Sequence, residues 1–117
     1  MSFKSTHLFS DRLLDSTKIL LKYPDRIPII CEKYINAPKD CPEIDKKKYL
    51  VPNDLTVAQF IYVIRKRLKL NAEKAIFIFI NGYVPSGANL LCNLYDSHKD
   101  PDGYLYIVYT FENTFGL

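Results

Sequence analysis

Histidine and cysteine have the widest chemical use of the side chains in this sequence, and they are few and scattered. His7 lies in the N-terminal segment, His98 lies beside a turn, and Cys31, Cys41 and Cys92 occupy unrelated segments. Nucleophilic catalysis needs a thiol or hydroxyl beside a base, and zinc sites need closely spaced ligands such as CxxC. The sequence shows neither arrangement. It therefore predicts a protein that is not an enzyme and that has no catalytic site, metal or cofactor.

Length and composition predict a single globular domain. The chain has 117 residues, of which 48% are hydrophobic and 25% are charged, enough for one core. The longest apolar run, 75–80, is six residues long, whereas a helix needs about 20 to cross a bilayer. The first residues lack the apolar core of a signal peptide, and an odd number of separated cysteines favours a reducing compartment. We therefore expect a cytoplasmic protein.

Positive charge is concentrated in the first part of the chain. Residues 1–70 hold 14 Lys and Arg against 8 Asp and Glu, or +6, and residues 71–117 hold 2 against 5, or −3. The clusters at 46–48 and 65–67 suit phosphates, anionic lipid headgroups or acidic peptides. A pI of 8.7 is only mildly basic, so no nucleic-acid partner is expected. A nucleic-acid or anionic-lipid binder, with steeply salt-dependent affinity, stays the alternative.

Hydrophobic periodicity and turn residues predict short strands around one long helix. The predicted elements are a helix that is capped by residue 10 or 11 and runs to about 22, strands over 27–33 and 47–52, a helix over 57–68, a central strand over 75–80, a short helix over 90–95 and a strand over 104–109. Two strands, a helix across them and two more strands describe an α+β fold, the ubiquitin-like β-grasp.

Individual residues sharpen this prediction. Thr56 and Gln59 form a capping-box pattern at the start of the long helix. Pro28 cannot donate a ladder hydrogen bond, so its strand segment should lie near a strand start or on an edge. Asn81-Gly82 is typical of a hairpin turn. Residues 110–117 look too polar and short to pack, which predicts a mobile tail.

Eight runs, spread over nearly the whole chain, resemble the autophagy ubiquitin-like modifiers, the family that includes GABARAP. They are YPDRIPII at 23–30, DKKKYLVP at 45–52, DLTV at 54–57, QF at 59–60, IRKR at 64–67, AEKA at 72–75, DGYLY at 102–106 and FGL at 115–117. The resemblance implies a β-grasp preceded by two N-terminal helices, the first near 6–9. The domain would then comprise a helical extension (1–24), a core (25–109) and a flexible tail (110–117).

The resemblance also gives the C-terminus a role. A terminal Gly116-Leu117 alone is typical of a frayed end. In the family, a dedicated cysteine protease cuts after the matching glycine, which implies that Leu117 is removed. An activating enzyme using ATP and a conjugating enzyme would then join Gly116 to phosphatidylethanolamine on autophagosomal or other vesicle membranes. A residue without Cβ suits a carbonyl that must enter a narrow enzyme channel.

Family members also bind aromatic-x-x-aliphatic peptides of cargo receptors and adaptors, which add as a strand to the sheet edge. Here the matching edge is 46–51. The implied first pocket, for the aromatic side chain, comprises Ile19, Pro28, Lys48, Leu50 and Tyr104. The implied second pocket, for the aliphatic side chain, comprises Tyr49, Val51, Pro52, Leu55, Phe60 and Val63. Lys46 and Lys48 would meet peptide acids, with Arg26 and Arg67 beside the second pocket. Core packing is the alternative role, above all for Phe60.

Two departures from GABARAP stand out. The loop 34–43 carries an insertion, and the first long helix is unusually apolar at Leu13, Leu14, Leu20 and Leu21. We hypothesise that these leucines serve a distinct partner set or self-association on membranes. The hypothesis requires that Leu14 and Leu21 are exposed.

Overall fold

Four strands form one mixed sheet with helices on both faces in the computed structural model, which describes residues 1–71 and 73–111. The elements are α1 (Phe3–Thr6), α2 (Phe9–Lys22), β1 (Arg26–Lys33), β2 (Lys48–Pro52), α3 (Val57–Leu68), β3 (Phe77–Phe79), α4 (Leu91–His98) and β4 (Leu105–Thr110). Neighbouring strands follow the order β2-β1-β4-β3. β1 pairs antiparallel with β2 and parallel with β4, and β3 pairs antiparallel with β4. The predicted β-grasp is confirmed.

Helix α3 covers one face of the sheet, as its periodicity predicts. The Gln59 amide donates to Thr56 Oγ1 at 3.2 Å and the Thr56 amide donates to Gln59 Oε1 at 2.9 Å, which completes the predicted capping box. Val57, Phe60 and Ile64 are fully buried against the sheet. Because these side chains are apolar and recur at helical spacing, their burial fixes the helix across the strands.

Helices α1 and α2 lie on the opposite face, and their starts differ from the prediction. Helix α1 begins at Phe3 rather than near residue 6, because Ser2 Oγ accepts the Ser5 amide at 3.1 Å and Phe3 packs against Ile30 and Tyr104. Helix α2 begins at Phe9 without a side-chain cap. The prediction that residue 10 or 11 caps this helix is therefore wrong.

Pro28 lies near the start of its strand, as predicted. The Cys31 amide donates to the Lys47 carbonyl at 2.8 Å. The backbone N–H and C=O groups of odd-numbered β1 residues therefore point toward β2, and the backbone of Pro28 is directed toward β4. Pairing with β4 begins only at Ile29. The missing N–H of Pro28 therefore interrupts no ladder.

Strand β3 is shorter than predicted and lies at an edge rather than in the centre of the sheet. Ile78 and Phe79 are nonetheless buried, and an apolar run alone cannot distinguish a central strand from an edge strand covered on both faces. The predicted turn is confirmed, since Asn81 and Gly82 have φ of 52° and 76° and join the Ile80–Tyr83 bridge. Helix α4 extends three residues beyond its predicted end.

Packing continues beyond the predicted core boundary at 109. Thr110 is the last residue of β4 and is fully buried, and Phe111 belongs to the main core cluster. Assigning these two residues to a mobile tail is therefore wrong, because β3 pairs with Thr110 and the core extends to Phe111. The rest of the predicted tail lies outside the described residues. Within the described part of the chain, no helix is both long and apolar enough to span a membrane.

Gly103 allows the turn before β4 to approach α2, which yields a stability prediction. Its φ is 91°, and a Cβ at this position would lie 2.9 Å from Ser16 Cβ. Gly82 has a similar φ of 76°, but a Cβ there would meet nothing within 4 Å. We expect Gly82→Ala to cost about 1 to 2 kcal/mol from backbone strain alone, and Gly103→Ala about 2 kcal/mol more from the clash. Urea unfolding measures both, and equal losses would contradict the close approach.

Candidate functional site

Strand β2 presents an open sheet edge. Among the described residues, β1 is its only partner strand. The bond from the Cys31 amide to the Lys47 carbonyl shows that odd-numbered residues of β2 exchange backbone hydrogen bonds with β1. The backbone groups of Lys48 and Leu50 therefore point away from β1. This edge can accept the hydrogen bonds of an added strand.

Side chains of β2 alternate between the two faces of the sheet, as predicted. Tyr49 and Val51 are buried on the α3 side, with exposures of 6% and 7%. Lys48 is exposed and Leu50 is half-buried on the α2 side. The open edge therefore has apolar side chains on both of its flanks.

Residues predicted for the first pocket lie together between α2 and the sheet. Tyr104 and Pro28 are buried, Ile19 and Leu50 are half-buried, and Lys48 is exposed. Ile19 packs on the cluster that contains Tyr104, Leu50 lies opposite Pro28 in the strand register, and Lys48 Nζ lies 5.8 Å from the Tyr104 ring centre. An apolar surface with a cation above an aromatic ring suits an aromatic ligand group.

Asp15 adds a polar group to this cluster that the sequence analysis missed. Its Oδ2 accepts Lys48 Nζ at 2.6 Å and also accepts the Tyr104 hydroxyl. Burial alone would raise the pKa of Asp15, but the bonds from Lys48 and Tyr104 outweigh it and lower that pKa. Burial and the bond to Asp15 raise the pKa of Tyr104, so its hydroxyl stays protonated. The sequence does carry a signal for Asp15: it precedes Ile19 by four residues, which places both on the same face of the helix and hence near the first pocket.

A buried ion pair holds α2 in the position that forms the first pocket. Asp102 is fully buried, and its carboxylate accepts Arg12 Nε at 2.8 Å, the Tyr106 hydroxyl at 2.6 Å and the Tyr104 amide at 2.9 Å. Ser16 Oγ donates to the Asp102 carbonyl at 2.5 Å. These bonds join two turns of α2 to the start of β4. They therefore place the α2 residues of the first pocket over Tyr104.

Residues predicted for the second pocket lie between β2 and α3. The Tyr49 ring meets the Phe60 ring edge-on, with centres 5.7 Å apart, and Phe60 is fully buried. Core packing thus accounts for Phe60, and Tyr49, for which the sequence favours core packing less, is buried as well. The other members are buried Val51, half-buried Leu55 and Val63, and exposed Pro52. The half-buried and exposed members are the ones accessible to a ligand.

The three predicted charged residues are all exposed near β2. Lys46 Nζ lies 5.1 Å from the Tyr49 ring centre. Arg67 Nε and Nη2 donate to the two Asp45 oxygens at 2.7 and 3.3 Å. Arg26 lies opposite Pro52 in the strand register. Positive groups therefore occur at both ends of the edge.

Ion pairs within the chain neutralise much of the basic clusters. Lys47 pairs with Glu32 at 3.2 Å, Lys48 pairs with Asp15, and Arg67 pairs with Asp45. A surface that gains its affinity from many phosphates needs a net positive field. The neighbouring carboxylates reduce that field, which disfavours the nucleic-acid and anionic-lipid alternative.

Of the histidines and cysteines that are scattered in the sequence, Cys31 and Cys41 both belong to the main core cluster. His7 stacks on Phe3 and His98 stacks on Tyr83. Burial raises the pKa of Cys31 and of Cys41, opposite to the shift that activates a thiol. Across 1–71 and 73–111, no group of three or more His, Cys, Asp or Glu side chains is placed to hold a metal ion.

Gly116 and Leu117, the predicted processing site, lie outside the described residues. Their role stays a prediction from the resemblance.

Comparisons with known proteins agree on one family. Residues 11–116 match the family described as Autophagy protein Atg8 ubiquitin like. Autophagy-related protein 8 of Mycosarcoma maydis is 57% identical over 115 residues, which cover 98% of this chain and 96% of that protein. The Scheffersomyces stipitis protein of the same name is 56% identical over 97% of this chain and 81% of its own. The crystal structure of Trypanosoma brucei ATG8 superposes with a TM-score of 0.90 at 45% identity, covering 99% of this chain and 98% of that chain.

The lowered pKa of Asp15 predicts a pH-dependent contribution to stability. A carboxylate with a lowered folded-state pKa stabilises the fold above its ordinary value, here 3.8, and this stabilisation is lost as the pH falls through the lowered pKa. We expect Asp15→Asn to destabilise at pH 7 by less than about 1 kcal/mol, because the pair with Lys48 is exposed, and to have almost no effect near pH 2.

Urea unfolding at both pH values checks this expectation. Asp54→Asn is the control, because Asp54 is an exposed carboxylate without an ion pair in the described part of the chain. An equal loss for Asp15→Asn at both pH values would show that the charge of Asp15 does not matter.

Proposed function

Because this chain belongs to the Atg8 family of ubiquitin-like autophagy proteins, we propose that it is conjugated through Gly116 to phosphatidylethanolamine and captures aromatic-x-x-aliphatic peptides at the β2 edge. Members of this family are ubiquitin-like modifiers rather than enzymes. The observation that carries the proposed capture is the open edge of β2, with one cluster of apolar side chains on each face of the sheet.

The spacing of the peptide motif fits the two clusters. Side chains of an extended strand alternate between faces, so residues three apart point to opposite sides. An aromatic residue would therefore meet the first pocket near Tyr104, while an aliphatic residue three positions later would meet Leu55 and Val63 on the α3 side. Backbone bonds to Lys48 and Leu50 would supply affinity, and the two side chains would supply specificity.

Charge favours a peptide with acidic residues before its aromatic residue. Lys46 Nζ contacts the Tyr49 ring and makes no ion pair in the described structure. Lys48 forms an ion pair with Asp15, and the two side chains are 46% and 43% exposed. Replacing Asp15 by a peptide carboxylate as the partner of Lys48 therefore costs little free energy. These lysines would contribute to the rate and salt dependence of binding more than to its strength.

The proposed conjugation uses the chain beyond β4. Phe111 is packed in the core, and the five residues from 112 to 116 can span at most about 17 Å. A dedicated cysteine protease would release the Gly116 carboxylate by removing Leu117. An activating enzyme would adenylate this carboxylate with ATP, and a conjugating enzyme would carry it as a thioester to the lipid amine. Cargo receptors and adaptors would then be recruited to autophagosomal membranes.

Leu50 provides the most direct test of peptide capture. Leu50→Ala should weaken binding of an aromatic-x-x-aliphatic peptide about 30-fold, because it truncates an anchor contact worth about 2 kcal/mol. Lys46→Ala should weaken binding less and reduce its salt dependence. Leu50 is preferable to Tyr49, whose burial against Phe60 would make truncation a folding defect. Calorimetric titration measures both effects.

The matched control for this titration is Val84→Ala, because Val84 is an exposed aliphatic residue outside the site. Binding should be unchanged in this control. An unaltered dissociation constant for Leu50→Ala would refute the site assignment.

Gly116 provides the test of conjugation. Gly116→Ala should abolish both removal of Leu117 and attachment to lipid, because the added Cβ hinders the close backbone approach that the enzymes require. The fold should stay intact, which a circular dichroism spectrum checks. Intact mass of the protein from the membrane fraction measures the outcome. Normal amounts of lipid-linked product from the variant would refute the role of Gly116.

A further inference from the structure

Helix α2 has polar residues on its buried face and leucines on its exposed face, whereas a helix that covers an apolar core has the reverse arrangement. Its buried residues, Arg12 and Ser16, are polar and serve the network around Asp102. Its outward residues Leu14 and Leu21 are 55% and 80% exposed. The hypothesis that these leucines contact another molecule required Leu14 and Leu21 to be exposed, and they are. An exposed apolar helix face in a small domain indicates a contact with another molecule.

The residues of this face form a stripe with two distinct sides. Leu14, Thr17 and Leu21 recur at intervals of three and four and form what we call the α2 stripe. Along one side, Leu13 and Leu20 line a groove of about 360 Å³ whose far wall includes Tyr95, Lys99 and Pro101. Along the other side lie the exposed residues Asp11, Lys18 and Lys22.

We propose that the α2 stripe is an interface between two copies of this chain, with the two α2 helices antiparallel about a two-fold axis. In this arrangement, the N-terminal half of each helix faces the C-terminal half of the other. Asp11 then faces Lys22 of the second copy, and Leu13 faces Leu20 of the second copy. In a two-fold antiparallel pair, facing residues lie at equal distances on either side of the axis. Residues 11 and 22 and residues 13 and 20 share the midpoint 16.5, so a single register satisfies both pairs.

Three features favour this occupant over a bilayer. Asp11 makes no ion pair within the described structure, and an anionic lipid surface would attract the lysines but repel Asp11. A second copy satisfies both signs of charge and does so twice by symmetry. Thr17, next to the two-fold axis, is small enough for the helices to approach closely, and alternating intervals of three and four are typical of paired helices.

The size of the contact sets the expected strength. One pair of four-turn helices buries less than the roughly 1,200 Å² of a stable interface. The chain should therefore be monomeric at micromolar concentration and associate toward about 1 mM. Copies anchored to one membrane, as the proposed function requires, would experience a raised effective concentration. The solution measurement below does not depend on that anchoring.

Sedimentation equilibrium of the full chain between about 0.02 and 1 mM tests the interface. The mass should rise with concentration from 13.6 kDa toward twice that value. Leu14→Lys should remain monomeric throughout. Tyr62→Lys is the matched control, because it alters an exposed residue on α3, and should behave as the unmodified chain. Circular dichroism and urea unfolding confirm that each variant is folded.

A charge exchange tests the antiparallel register. Asp11→Lys and Lys22→Asp should each weaken association about five-fold, because each replaces two attractions by two repulsions. The double variant should restore association, since it exchanges the two signs. A constant mass of 13.6 kDa up to about 1 mM would overturn the interface. Additive losses in the double variant would overturn the register. Leu14-dependent binding to neutral phosphatidylcholine vesicles without any rise in mass would assign the face to a bilayer and also overturn the proposal.

Discussion

The buried ion pair between Arg12 and Asp102 is the constraint on which the α2 side of the molecule depends. A buried carboxylate is tolerated only when charge and hydrogen bonds compensate for its lost hydration. Asp102 obtains this compensation from Arg12, Tyr106 and the Tyr104 amide. The same bonds fix α2 to the start of β4, and the close approach is possible because Gly103 has no Cβ to meet Ser16. The position of the first pocket and the outward orientation of the leucines follow from this single attachment.

The two halves of the proposed function make opposite demands on the fold. Peptide capture requires a rigid edge, which β2 obtains from its pairing with β1 and from the packing of Tyr49 on Phe60. Conjugation requires a terminus that can enter several enzymes in turn, and the core extends to Phe111 while leaving Gly116 five residues further along the chain. The proposed function joins the two demands, because it would require one domain to be both a carrier of a reactive carboxylate and a binding surface.

The sequence predicted the elements whose signals are local and failed where packing decides. Thr56 and Gln59 mark the start of α3 correctly, because a capping box is complete within four residues. The apolar run at 75–80 suggested a central strand, but position in a sheet depends on partners far away in the chain. The role of Asp15 could not be predicted for the same reason, since its partners Lys48 and Tyr104 are 33 and 89 residues away in the sequence. The core boundary at 109 was misplaced because the burial of Thr110 depends on β3.

Amide hydrogen exchange of β2 during peptide binding tests the central claim most directly. Alternation along the strand leaves the amides of Lys48 and Leu50 directed to the open edge, while those of Tyr49 and Val51 bond to β1. With an aromatic-x-x-aliphatic peptide bound, Lys48 and Leu50 should become protected while the neighbouring amides change little. Exchange at Lys48 and Leu50 that is unaltered by a saturating peptide would contradict strand addition at this edge.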